Sequence, residues 1–211
     1  DFRPVFDFPP ERILSWLTQG FGDGEPMRIK AWVASESPSR LTYPALDTLA
    51  SVTRAIHQEC PLGIEYHSIT SGRTDREIIP FALIDNGLRW HVRAYDRQRR
   101  RFSDFVLTRI TKVKPLDEAA EAHGRIEADR QWNRRVDLRL VPHPGLTHPE
   151  AVMADYGMRD GSLTLNVSAA LAGYALQRWA VDCSSAHKLD CARHHLWLAD
   201  PTVLAAVDSA V

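Results

Sequence analysis

The sequence predicts an α+β protein in three successive parts: a helical N-terminal region, a small β-barrel, and a C-terminal unit in which strands and helices alternate. Two observations carry this prediction. Between residues 62 and 113, five short stretches rich in apolar residues are separated by tight-turn residues, the pattern of a small barrel. Beyond residue 133 the hydrophobic period switches repeatedly between two and 3.6, the pattern of an α+β unit. A length of 211 residues with 44% hydrophobic content is enough for one or two packed domains.

Taken in order, residues 1–10 are rich in Pro and Phe and read as an extended linker. Pro9-Pro10-Glu11 opens a helix over 12–19, since proline is tolerated in a first turn. Residues 20–26 form a loop and 27–34 a strand. Residues 43–60 give the clearest helix: Leu46, Leu49, Ala50, Thr53 and Ile56 recur at helical spacing, and Pro61 closes it. Strands follow over 62–68, 76–84, 88–95, 101–107 and 109–113. Pro80 has no N–H to donate and marks an edge or a bulge. Asn86-Gly87 predicts a tight hairpin with positive φ at both central positions. Residues 117–132 read as a polar, mostly helical connector. The C-terminal unit then runs strand 136–141, helix 148–156, strand 162–167, helix 169–180 and strand 196–198.

Charge is unevenly placed. The chain carries a net charge of -1, yet residues 64–114 hold 11 Lys/Arg against 6 Asp/Glu. An anion-attracting surface therefore belongs to the middle third. No stretch reaches the roughly 20 apolar residues that cross a bilayer, and neither a signal peptide nor a membrane partner is expected. Three cysteines, Cys60, Cys183 and Cys191, suit a reducing cytoplasm better than a disulfide scaffold. The first residue is Asp1, which reads as a fragment or a chain whose start is missing.

No catalytic pattern is present: there is no G-x-S-x-G, no phosphate-binding glycine loop and no H-E-x-x-H. The expectation is a protein that is not an enzyme and has no cofactor. His187, Cys191, His194 and His195, with Cys183 as a fourth ligand, loosely evoke zinc. No C-x2-C accompanies them, and a polar surface loop without metal is expected. Asp96 and Asp104 flank the basic stretch and read as salt-bridge partners of neighbouring arginines. Cys60 reads as a small buried apolar residue.

The chemistry concentrates in Arg89-Trp90-His91-Val92-Arg93-Ala94-Tyr95. On a strand, Leu88, Trp90, Val92 and Ala94 share one face and Arg89, His91, Arg93 and Tyr95 the other. The first set is a core face. The second is a stripe about 20 Å long with two guanidiniums, an imidazole and a phenol. Two arginines four residues apart repel unless an anion or carboxylates lie between them. A phosphate-bearing ligand satisfies them, because the guanidinium fork matches phosphate oxygens, and the aromatic suits a stacked base. A solvated face with Arg paired to Asp or Glu is the competing account.

Residues 63–113 resemble a WYL domain. The resemblance rests on Ile64-Glu65-Tyr66-His67-Ser68, on Arg76 to Pro80, on Arg89-Trp90-His91-Val92 in place of the Trp-Tyr-Leu signature, and on Phe102 to Ile110. The Arg-Trp-His-Val-Arg-Ala form, followed by Asp-Phe-Val-Leu-Thr-Arg-Ile, looks most like regulators encoded beside anti-phage defence systems. The resemblance implies a small Sm-like, SH3-type barrel that binds a nucleotide or short nucleic acid in a basic groove. It also implies an N-terminal winged helix-turn-helix, absent from this chain, that contacts operator DNA, and a C-terminal extension that takes part in homodimerisation. The parts are then residues 1–60 as helical linker, 61–115 as barrel, 116–132 as connecting helix and 133–211 as dimerisation extension.

Carried over residue by residue, the groove comprises Tyr66 as stacking ring, Ser68 as donor, Arg76, Arg89, His91, Arg93 and Arg109. Arg101 and Phe105 stand in reserve. His91 replaces the signature tyrosine with a group that charges near neutral pH. Trp90 falls on the core face and is structural. The implied role is that of a ligand-gated, cytoplasmic repressor of a defence operon. The alternative is a constitutive nucleic-acid-binding module without a switching role.

Overall fold

The computed structural model describes Glu11, Ile13, Leu14, residues 33–36 and residues 41–208. The chain divides into two compact units, Asp1–Leu41 and Thr42–Val211. The helix expected over 12–19 and the strand expected over 27–34 fall almost wholly outside the described residues. Ile13 and Leu14 are helical, and Val33 and Ala34 are not in a strand.

The second unit opens with α1 (Leu46–Gln58). The helix ends where Glu59 adopts a left-handed conformation, φ 50°, and its N–H and that of Cys60 return to the carbonyls of Ile56 and Ala55. Pro61 prevents continuation. Val52 and Ala55 are buried from this helix, with Leu49 and Ile56 beside them.

Five strands follow: β1 (Leu62–Ser68), β2 (Gly72–Asp85), β3 (Trp90–Asp96), β4 (Arg101–Val106) and β5 (Ile110–Pro115). They form one antiparallel sheet in the order β4-β3-β2-β1-β5. α1 packs on β2 and β5, and between them lie Leu62, Ile64, Ile78, Val92, Ala94, Leu107 and Ile110. Trp90 is partly buried against this core.

The expected barrel is not closed by hydrogen bonds: β4 and β5 are the two edges of the sheet. A 3-10 turn, Leu107–Arg109, carries the chain from one edge to the other in place of a hairpin. The Tyr66 hydroxyl accepts the Val106 N–H on the β4 side. Pro80 lies within the middle strand, not on an edge, and the register slips between Pro80 and Ala82, so its missing donor is absorbed by a bulge. The Asn86-Gly87 hairpin forms, but as a longer loop. Gly87 has φ +87° while Asn86 is not left-handed, and the Asn86 side chain accepts from the N–H groups of Leu88 and Arg89. Leu88, expected in the core, therefore sits in the loop and is exposed.

The connector departs most from expectation. Residues 116–129 form bends and two 3-10 turns, Ala122–Gly124 and Ile126–Ala128, before a single α turn, α2 (Arg130–Asn133). Its conformation is set by what it lies on. Gly124 sits so close to the sheet that a Cβ there would meet Ile79 Cδ1 at 2.3 Å. Arg97 binds Glu118 and Glu121 from the connector and Glu77 from β2. Phe81, Tyr95, Phe102, His123 and Trp132 meet edge to face. The connector thus covers the sheet face opposite α1.

A second sheet has the order β7-β6-β8, with β6 (Arg135–Pro142), β7 (Leu163–Ser168) and β8 (Leu196–Leu198). α3 (Pro149–Asp155) and α4 (Ala169–Arg178) close its core of Val136, Leu138, Leu140, Val152, Leu176, Leu196 and Leu198. On β6 the alternation is clean: Arg135, Asp137 and Arg139 are exposed, while Val136, Leu138 and Leu140 are buried. Leu138 is fully buried at the centre of this sheet. Leu138→Ala is expected to cost about 2–5 kcal/mol, measured by denaturant unfolding of the chain.

Candidate functional site

β3 is buried on both faces, and this decides where the expected site residues lie. Val92 and Ala94 face α1. On the other face His91 is 5% exposed and Arg93 6% exposed, because the connector and α4 cover the stripe that the alternation leaves open. Arg93 pairs across the strands with Asp104 of β4, and its Nη1 donates to Asp104 Oδ1 at 3.0 Å. Its Nε donates to Asp129 Oδ2 at 2.7 Å. Asp129 in turn accepts the N–H groups of Gln131 and Trp132 and so caps α2. Burial works against the Arg93 charge, but the two carboxylates more than compensate and hold its pKa above the ordinary value.

Asp104 has a second partner. Tyr174 on α4 donates its hydroxyl to Asp104 Oδ2 at 2.9 Å. Burial, together with the Asp104 charge, pushes that phenol's pKa up. The Tyr174 ring lies 5.1 Å from the His91 ring. His91 Nδ1 is buried with no hydrogen-bond partner. Burial pulls the His91 pKa down from 6.5, against the opposing pull of Asp104.

Two cavities flank β4. One of about 190 Å³ is lined by Tyr66, Ser68, Arg76, Arg101, Ser103, Asp104 and Phe105, among others. The other, about 990 Å³, lies between β4, α2 and α4 and is lined by Arg93, Arg101, Ser103, Asp104, Asp129, Arg130 and Tyr174, among others. They share Arg101, Ser103 and Asp104. Five expected residues, Tyr66, Ser68, Arg76, Arg101 and Phe105, thus meet at the smaller cavity, and Arg93 joins Arg101 at the larger. Arg89, His91 and Arg109 line neither; Arg89 is exposed and Arg109 half-buried.

Several of these groups are already engaged. The Tyr66 ring packs edge-on against Phe105 at 5.2 Å. Ser68 Oγ accepts the N–H groups of Thr70 and Ser71. Arg76 donates to Thr74 and Gln98 and lies 3.7 Å from Asp96. Among the described residues, Arg101 and Arg130 have no ion-pair partner and face the larger cavity. Asp129, Arg130 and Tyr174 were not foreseen. They lie 36 or more residues from Arg93 in sequence, and no motif marks them.

Asp96 and Asp104 do form salt bridges, but with Arg76 of β2 and with Arg93, which is opposite Asp104 on β3, and not with their sequence neighbours. In the His/Cys segment, His187 stacks edge-on against His143 and Trp197. Among the described residues no group of three or more His, Cys, Asp or Glu could hold a metal. That region is organised instead by a buried pair: His143 Nδ1 accepts the Gly145 N–H, and its Nε2 is 3.2 Å from Asp182. Burial raises the Asp182 pKa, but hydrogen bonds from Ser184, Leu189 and His143 outweigh it and hold the carboxyl at about 2. Among the described residues no helix is long and apolar enough to cross a membrane.

Residues 47–115 match the WYL domain, and residues 135–204 match the family described as BrxR transcriptional regulator, C-terminal dimerization domain. A DNA-binding transcriptional repressor, CapW, of Stenotrophomonas maltophilia is 36% identical over 144 residues, covering 67% of this chain and 47% of that protein. CapW of Pseudomonas aeruginosa is 35% identical, covering 62% and 44%, and CapW of Escherichia coli is 31% identical over the same shares. The chain spans about half the length of these relatives or slightly less. Proteasome accessory factor B/C of Arthrobacter aurescens, a solved structure, aligns with a TM-score of 0.37 at 19% identity, covering 66% of this chain and 24% of that one.

This geometry leads to two measurements. Arg93→Ala strands two carboxylates, one of them 1% exposed, and is expected to cost about 3–5 kcal/mol of stability. Arg101→Ala, at an exposed position, should stay within about 0.5 kcal/mol; denaturant unfolding distinguishes them. His91 is held neutral by burial, so the stability it contributes is complete above pH 6.5 and is lost as the pH falls below that value. Thermal unfolding between pH 7 and 5 should therefore show a smaller loss in His91→Phe than in the wild type.

Proposed function

This chain is a WYL-domain protein that carries a BrxR-type C-terminal dimerization domain, and from that premise we propose that it is the ligand-sensing and dimerisation part of a bacterial transcriptional repressor. The observation that carries the ligand reading is the pair of cavities beside β4 that share Arg101, Ser103 and Asp104, with Arg130 at the larger. Unpaired guanidiniums on a concave polar surface attract anions. A volume of about 990 Å³ is in the range of small-ligand sites. Phosphate would meet Arg101, Arg130 and Arg76, with Ser103 and Ser68 as further hydrogen-bonding groups.

The ligand class we propose is a nucleotide or a short single strand. Arg89 and Arg109, which line neither cavity, would meet the flanking phosphates of a longer strand. The CapW relatives are named as DNA-binding repressors and not as enzymes, and operator contact would belong to the remainder of such a repressor. Residues 135–204 would hold two copies together, which sets half-site spacing on the operator. Ligand can change that arrangement only by binding its two states with different affinity.

The test is fluorescence anisotropy of a short labelled single-stranded DNA against the chain at two salt concentrations, beside Arg101→Ala. Saturable binding that weakens with salt and falls about tenfold in the variant, a change of about 1.4 kcal/mol, is the expected result. Absence of binding at low salt, or equal binding by the variant, removes the reading. Binding that is steep in salt but indifferent to strand length favours a constitutive nucleic-acid-binding module.

A further inference from the structure

The dimerization domain reaches into the groove. Tyr174 belongs to α4, yet its hydroxyl is bound to Asp104 of β4 and its ring lies on His91 of β3. A second route joins the same two parts. From Asp104 it runs through Arg93 to Asp129, which caps α2. The Ser168 hydroxyl, one residue before α4, donates to the carbonyls of Gln131 and Trp132 in α2. Asp104 is therefore the junction of a closed ring of hydrogen bonds: β4 to α4 through Tyr174, and β4 to α4 again through β3 and α2.

The charge in this ring matters. One guanidinium serves two carboxylates, and Arg93, Asp104 and Asp129 all line the larger cavity. Arg93 and Asp129 are nearly fully buried, and Arg93 Nε donates to Asp129 Oδ2 at 2.7 Å. A phosphate brought to Arg93 would compete with Asp104 for the same cation and would set two negative groups side by side in a poorly solvated place. Like charges so placed repel strongly. An anion on Arg93 and the Asp104–Arg93 bond therefore exclude one another. The Asp104 carboxylate is rigid and holds Arg93 with one oxygen and Tyr174 with the other, so when repulsion by the phosphate turns it away from Arg93 the Tyr174 bond is displaced with it.

We propose that Asp104 and Tyr174 form a latch, closed in the unliganded protein, that ties the dimerization domain to β4 and opens when a phosphate-bearing ligand takes Arg93. Groove occupancy and the placement of α4 are then linked, and by reciprocity whatever fixes α4 alters ligand affinity. The latch rests on the proposed role of the groove as a ligand site. Its distinguishing consequence is that the unliganded latch opposes the ligand. Loss of the Asp104–Tyr174 bond should tighten binding even though Tyr174 lines the larger cavity, whereas a bond that merely staples two domains would weaken binding or leave it unchanged when lost.

Tyr174→Phe is the variant of choice, because it removes the hydroxyl and keeps the ring against His91. The same labelled single-stranded DNA is titrated into the wild type and Tyr174→Phe, and amide hydrogen exchange is followed with and without it. We expect the variant to bind about five- to tenfold more tightly. We also expect the DNA to speed exchange in residues 130–133 and 169–178 of the wild type, and the variant to show that faster exchange before any DNA is added. DNA that binds both proteins equally, or binds the variant less well, overturns the latch and leaves the groove reading standing. So does binding that leaves exchange in those residues unchanged or slower. DNA that binds neither protein defeats the groove reading, and the latch with it.

Discussion

An arginine that is 6% exposed is costly unless its charge is matched at close range, and in this protein that requirement falls on Arg93. Its partners arrive from two directions: Asp104 directly across the β3–β4 ladder and Asp129 from the connector. Removing Arg93 leaves two carboxylates without their cation, one of them in a dry place. The register of β4, the path of the connector and the start of α2 are therefore all tied to one side chain. Because Asp129 both neutralises Arg93 and caps α2, the electrostatic match and the local backbone conformation depend on each other.

The connector is the means by which this match is reached. Its sequence is polar and helix-compatible, but the chain is pulled instead along the sheet face by Arg97, which gathers Glu77, Glu118 and Glu121. It is also held by edge-on contacts among Phe81, Tyr95, Phe102, His123 and Trp132. A helix over the whole of 117–132 would present its own backbone bonds internally and could not follow the sheet at the distance Gly124 allows. The result is a sheet covered by α1 on one side and by the connector and α4 on the other. The larger cavity remains between β4 and the C-terminal elements.

The sheet that carries the larger cavity and the domain over residues 135–204 are therefore not independent modules. Arg101 and Arg130 face the larger cavity from β4 and α2, the first inside the WYL match and the second beyond it. Asp104 holds Arg93 with one oxygen and Tyr174 with the other. A site built in this way has its electrostatics set by how the two parts meet.

The sequence by itself determined the elements whose signal is local. The period-two strands over residues 62–113, the helix ended by Pro61, and the strand-helix alternation from residue 135 all lie within a few residues of where the structure has them. The alternation of β3 was also legible, with Val92 and Ala94 on the core side. What covers the other side was not, since a strand's pattern states only that two faces exist, and Asp129 and Tyr174 lie far along the chain. Local pattern likewise suggested salt bridges for Asp96 and Asp104 but named neighbours, where the folded sheet brings Arg76 to the first and Arg93, its cross-strand partner, to the second. Hydrophobic period and turn chemistry are short-range and can be read from adjacent residues. Which charge is neutralised by which, and whether a basic stripe faces water or another element, is fixed only when distant segments pack, because a buried charge takes whatever partner the tertiary structure brings within hydrogen-bonding reach.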